Sequence, residues 1–163
     1  MKIDKLKIGQ EIRYTGEFLV MRDQAQKRLQ KMVENKKNLP FDLSGKIIFY
    51  AGPAKIPHKK RIGAIGPTTS ERMDIFLKTL FELGVIATVG KGKRSKKTIE
   101  LHREWKRVYF IAPSGVSAFL STCVMDMEVI AFEDLGPEAV YRLKVRDFPL
   151  IVAIDIFGNC LFE

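Results

Sequence analysis

The side chains best suited to chemistry sit on three segments, each at the start of a helix. The first is Ala64-Ile-Gly-Pro-Thr-Thr-Ser-Glu-Arg-Met-Asp74. Its glycine lets the backbone approach a ligand closely. The helix behind it presents free N–H groups and the positive end of its dipole, which favours an anion. Thr68 and Thr69 add hydroxyl donors. Arg72 falls in the first turn, where a cation opposes the dipole, so it calls for an anionic partner. Paired arginine–carboxylate hydrogen bonds are the strongest contact of that kind. The plainer alternative is an ordinary capped helix whose Arg72 pairs with Asp74, Glu71 or another surface acid.

The second segment is Val89-Gly-Lys-Gly-Lys-Arg-Ser95, a glycine loop with three cations before a helix. It has neither the spacing of a P-loop nor that of a dinucleotide fold, and a solvated basic turn is its competing reading. The third, Val20 to Arg28, places Arg22 and Asp23 at a helix start, where Asp23 can simply offset Arg22. The first two loops follow buried strands, and α/β sheets bind ligands at the carboxyl ends of their strands. If those strands are neighbours, two helix starts and several cations converge on a molecule with two negative groups.

Other chemistries are poorly supported. The two histidines, His58 in a basic loop and His102 on the polar side of a charged helix, have no second ligand at i+3 or i+4. Cys123 and Cys160 form no metal-ligand spacing, and their apolar neighbours suit buried reduced thiols. The net charge is +9, from 28 Lys and Arg against 19 Asp and Glu. That balance attracts anions in general. A nucleic-acid-binding module would interleave aromatics with its cations. The basic stretches Lys59-Lys60-Arg61 and Lys91 to Lys97 contain no aromatic residue. No apolar run approaches the roughly 18 residues of a membrane span. Charges interrupt the N-terminal apolar residues, which argues against a signal peptide and for a cytoplasmic protein.

The elements that must position these segments alternate. Strands are expected at 10–20, 46–51, 85–89, 107–111, 127–132, 141–145 and 150–156. A loop should run from Gly52 to Pro67. Helices are expected at 22–36, from Thr68 to Gly84, from Ser95 to Trp105, and over 114–122. Thr68 and Glu71 form a potential capping box. In the short helix at 114–122, Val116, Phe119 and Leu120 should point inward. The pattern predicts one α/β domain over 1–163, with a mixed sheet.

Gly66-Pro-Thr-Thr-Ser-Glu-Arg-Met-Asp74, Gly90-Lys-Gly-Lys-Arg-Ser95, Arg22-Asp23 and Phe132-Glu-Asp-Leu-Gly136 resemble the β-subunit, or C-terminal domain, of class I fumarate hydratases and L(+)-tartrate dehydratases. The resemblance covers nearly the whole chain. It implies a swivelling β/β/α domain, and a 4Fe–4S cluster held by three cysteines of a partner α-subunit in a heterodimer or heterotetramer. It implies reversible hydration of fumarate to (S)-malate, as in the tricarboxylic acid cycle, or dehydration of tartrate to oxaloacetate. By that resemblance Thr68 is the catalytic base, Arg72 and Lys91 bind substrate carboxylates, Arg22 faces the active site, and Thr69 joins the substrate-binding set. No cofactor or metal ligand is expected in this chain. Gln26 departs from the family, which often has histidine there.

Overall fold

The structure, a computed structural model, describes residues 1–53 and 64–162. His58 and the cluster Lys59-Lys60-Arg61 lie outside the described residues. Among the described residues, eight strands and four α-helices follow in the order β1 (Glu11–Val20), α1 (Asp23–Glu34), β2 (Ile47–Phe49), β3 (Ala51–Pro53), β4 (Ile65–Pro67), α2 (Leu77–Glu82), β5 (Ala87–Gly90), α3 (Lys96–Trp105), β6 (Val108–Ile111), α4 (Ser117–Thr122), β7 (Val124–Ala131) and β8 (Val140–Ile154).

Six strands form one mixed sheet in the order β1-β2-β5-β6-β8-β7, and β1 also pairs with β8. The run β1-β2-β5-β6-β8 therefore closes on itself, leaving β7 outside on β8. Pairing is parallel from β1 through β2 and β5 to β6, and antiparallel wherever β8 takes part. The α/β class and mixed sheet match the sequence reading. Alternation along the strands divides the core, because successive side chains point to opposite faces. Ile47 and Phe49 join Phe18, Val89, Phe110 and Phe148 inside the closed sheet. Phe18, Phe49 and Phe148 form a ring cluster with centroids 5.3–5.6 Å apart. Ile48 and Tyr50 face outward, against Ala25 and Leu29 of α1 and Leu77, Leu80 and Phe81 of α2.

Four sequence expectations change. The stretch read as a loop from Gly52 begins and ends in a two-stranded antiparallel sheet, β3 with β4. The helix after Thr69 opens as a 3₁₀ turn over Glu71–Phe76, and its N-cap, Ser70, makes no side-chain cap bond, so the capping box does not form. The two late strands are one, β8. Between the pairs Tyr14↔Phe148 and Gly16↔Val145, two residues of β8 oppose Thr15 alone. This is a β-bulge, which locally bends a strand without ending it. Asp147 takes φ +52° there, and its N–H donates to Thr15 Oγ1 at 3.0 Å. In α4 only Leu120 is buried, while Val116 and Phe119 are exposed.

Parallel pairing gives β1, β2, β5 and β6 a common carboxyl edge, where Val20, Phe49, Gly90 and Ile111 end side by side. The neighbouring strands required by the two-loop argument are β2 and β5. Among the described residues no helix is long and apolar enough to cross a membrane.

Candidate active site

The chain leaves β2 at Tyr50 and returns through β4 to the same edge. There the Thr68 N–H donates to Tyr50 O at 2.7 Å. The next residues run alongside the end of β5. Lys91 N–H donates to Thr68 O at 3.2 Å, and Ser70 N–H donates to Lys91 O at 3.1 Å. Thr69 and Lys91 thus pair as an isolated parallel bridge. The approach needs a glycine: a Cβ on Gly90 would stand 1.8 Å from Ser70 Oγ and 3.2 Å from the Tyr50 ring.

Arg72 follows within the 3₁₀ turn and points back along this edge. Its Nη2 donates to Thr68 Oγ1 at 3.1 Å. Its Nε and Nη2 also grip both oxygens of Asp23, at 3.3 and 3.2 Å. The acid opposite Arg72 is therefore Asp23, at the start of α1, and not Asp74 or Glu71. Asp23 does not offset Arg22 as the sequence suggested. Arg22 instead lies 3.5 Å from Glu138 Oε1. A Cβ on Gly52 would meet Arg22 Nη1 at 2.4 Å, so the guanidinium rests on bare backbone. One helical turn on, Gln26 is buried, and neither atom of its amide has a partner among the described residues. Lys91 is exposed beside Thr69. The edge thus gathers Thr68, Thr69, Arg72 and Lys91, with Arg22 at the start of the adjoining α1.

The second loop departs from its solvated-turn reading. Lys91 and Lys93 face water, but Arg94 is only 4% exposed. Its Nε donates to Asp74 Oδ1, and its Nη1 donates to Thr88 Oγ1 at 3.3 Å. The guanidinium lies over the rings of Tyr109 and Tyr50, 4.9 and 5.4 Å from their centroids, a favourable desolvated cation–π arrangement. The other oxygen of Asp74 accepts the Ser95 N–H at 2.9 Å. Ser95 caps α3 as expected, accepting from Thr98 N. Tyr109 Oη lies 3.0 Å from Ser70 Oγ and 2.8 Å from Gly92 O. Burial pushes its phenol up to about 12, against the pull of the Ser70 bond and the Arg94 charge, so near neutral pH it keeps its proton.

His102 is buried, not on a polar face. Burial first, then the Arg94 charge, hold its imidazole down at about 3. The neutral ring donates from Nδ1 to Thr98 O at 2.8 Å and packs edge-on against Phe81. The sequence motifs already held Asp23, Ser70, Asp74 and Arg94, but with other partners: Asp23 against Arg22, Asp74 against Arg72, and Arg94 as one of three loop cations; Tyr109 was not placed here at all. The available signal was that the two glycine motifs carry opposite charges, Asp74 and Arg94, at their far ends.

The donors suit an anion. Arg72 can offer its fork to a carboxylate that displaces Asp23, and its cation beside Thr68 Oγ1 favours the negative form of that oxygen. An iron–sulfur cluster has no home among the described residues. Cys123 and Cys160 are buried in separate core clusters, and among the described residues no group of three or more His, Cys, Asp and Glu side chains could hold a metal ion.

The model of the family described as Fumarase C-terminus matches residues 1–163. A Methanocaldococcus jannaschii protein provisionally named L(+)-tartrate dehydratase subunit beta is 37% identical, over 99% of this chain and 86% of its own length. The L(+)-tartrate dehydratase subunit beta of Escherichia coli K12 is also 37% identical, over 98% of this chain and 80% of its own. The Leishmania major protein named Fumarate hydratase 1, mitochondrial, is 34% identical over 99% of this chain, which spans only 30% of that relative.

Proposed function

Because this chain belongs to the Fumarase C-terminus family, we propose that it is the β-subunit of a hydro-lyase that reversibly hydrates fumarate to (S)-malate. A partner α-subunit carries the 4Fe–4S cluster. The observation that carries the reading is the Arg72 fork, 3.1 Å from Thr68 Oγ1 and exchangeable from Asp23, on the edge where Lys91 is exposed. A second reading, dehydration of L(+)-tartrate to oxaloacetate, is favoured by the separate beta subunits among the relatives, of whose length this chain spans 86% and 80%.

In this reading Arg72 and Lys91 bind the carboxylate next to the carbon that loses its proton. As that proton leaves, charge spreads onto the carboxylate, and fixed cations stabilise it more in the transition state than in the ground state. Thr68 takes the proton. A neutral hydroxyl is a weak base, so Thr68 depends on Arg72 to stabilise its oxygen as an anion. Arg22 and Thr69 orient the remainder of the dicarboxylate. The cluster's chemistry is the partner's.

The test is anaerobic co-expression with the product of the neighbouring gene, followed by assay of fumarate hydration and tartrate dehydration. Turnover of one acid well above the other assigns the substrate. A reconstituted, cluster-loaded pair that turns over neither acid overturns the proposal.

A further inference from the structure

The two loops that carry Thr68 and Lys91 touch through very little backbone. Thr69 and Lys91 form one isolated bridge, closed by hydrogen bonds of 3.1 and 3.2 Å, with no strand continuing beyond it. So short a pairing does not by itself fix a side chain's direction. Beneath it, however, two side-chain links join the same two loops. One is ionic: Asp74, from the Thr68 loop, binds Arg94 Nε and the Ser95 N–H of the Lys91 loop. The other is phenolic: Tyr109, rising from β6, reaches Ser70 on one loop and Gly92 on the other.

A buried ion pair is a poor device for stability alone, because well-packed apolar residues do as well or better. Arg94 also leaves Nη2 buried without a partner among the described residues. A buried cation kept in such a place fits its best-attested use, holding two elements in register. We propose that Arg94 is a positioning residue. Through Asp74 and the Ser95 N–H it sets the Lys91 loop against the Thr68–Arg72 segment, and so sets the spacing of the groups that grip the substrate. The inference rests on the hydro-lyase reading for its catalytic consequence, and on the loop geometry alone for its structural one.

The test uses Arg94→Lys, which keeps the charge and loses the fork, with Lys91→Ala and the double variant, all in the complete complex with the α-subunit. Arg94→Lys should lower kcat/KM about tenfold or more, since small misplacement of binding groups is amplified in the rate. In the Lys91→Ala background the same change should add less than about twofold, because residues acting through one another are not additive. Asp74→Asn, which keeps the shape of the acceptor, should show the same non-additivity and serves if Arg94→Lys does not fold. Separately, amide hydrogen exchange on the β chain should show Ser70 and Lys91 speeding up in Arg94→Lys while the β1 and β8 amides do not change. Full additivity with Lys91→Ala, or unchanged exchange at Ser70 and Lys91, overturns the proposal. If the wild-type complex lacks hydro-lyase activity, the functional reading fails, and the exchange measurement still decides the brace.

Discussion

Two charged regions meet at the carboxyl edge of the sheet, and they are built on opposite principles. At the rim, Arg72 clasps Asp23 with half of its side chain in water, and Arg22 and Glu138 are also partly exposed. Deeper in the protein, Arg94 and Asp74 hold each other with side-chain exposures of 0% and 12%. Water screens and competes for the rim pairs, so they are worth little and exchange readily. Neither member of the inner pair can exchange without leaving a charge dry. The contrast teaches a division of labour. Cations that must release one carboxylate to take another stay wet, and cations that only hold the framework are sealed in.

The largest effect that would break this contrast lies at the inner pair. Arg94→Met should destabilise the subunit by about 3–5 kcal/mol, because it strands the Asp74 charge. Urea unfolding of the isolated chain measures this, and a loss below 1 kcal/mol, on the order of a surface pair, would erase the distinction. Arg72→Ala should do the reverse. It should lower kcat/KM of the complete enzyme by about a hundred- to a thousandfold, the usual loss for a group aimed at developing charge. Stability should move by no more than about 0.5 kcal/mol, and circular dichroism melts check that half.

Smaller effects sharpen the comparison. Gly90→Ala drives a methyl into Ser70 and the Tyr50 ring, where the inner pair and the site segment meet. It should cost about 1–3 kcal/mol, the range for overpacking a filled site, and the same urea titration reads it. Acid should weaken the inner region through His102, which folding holds neutral, at about 3 against an ordinary 6.5. Its contribution is complete above pH 6.5 and drains away as pH falls toward 3, because the unfolded chain then binds a proton that the folded one refuses. Between pH 7 and pH 5 the loss should be about 2 kcal/mol. His102→Gln should flatten that stretch of the stability–pH curve, and an unchanged slope would remove His102 from the account.

Much of the sheet was legible because its strands are short apolar runs between turn residues, as at Ile47–Phe49 and Val108–Ile111. The helix from Ser95 to Trp105 was legible because its cap is local, with Ser95 Oγ taking the Thr98 N–H three residues on. Illegible parts depend on partners far away in the chain. The expected Thr68–Glu71 box does not form, because the Thr68 N–H bonds Tyr50 O, 18 positions earlier, and its hydroxyl accepts from Arg72. His102 reads as polar among charged neighbours until Phe81 and Tyr109 close over it. The late strand reads as two because a bulge at Asp147 is answered only by Thr15 across the sheet.

By itself the sequence determined the α/β class, the glycine-bounded loops and which residue types stand at them: Thr68, Thr69, Arg72 and Lys91, with Arg22 far upstream. Helix starts, glycine freedom and motif spacing are short-range properties, written in neighbouring residues. Only the tertiary structure decided which charge faces which. Parallel pairing of β2 with β5 on one side and β1 on the other brought the two loops and the start of α1 together, so that Arg72 meets Asp23 and Arg94 meets Asp74, the first pair wet and the second dry. Which carboxylate a guanidinium meets depends on distances through space and on the water excluded between them, and neither is carried by spacing along a chain.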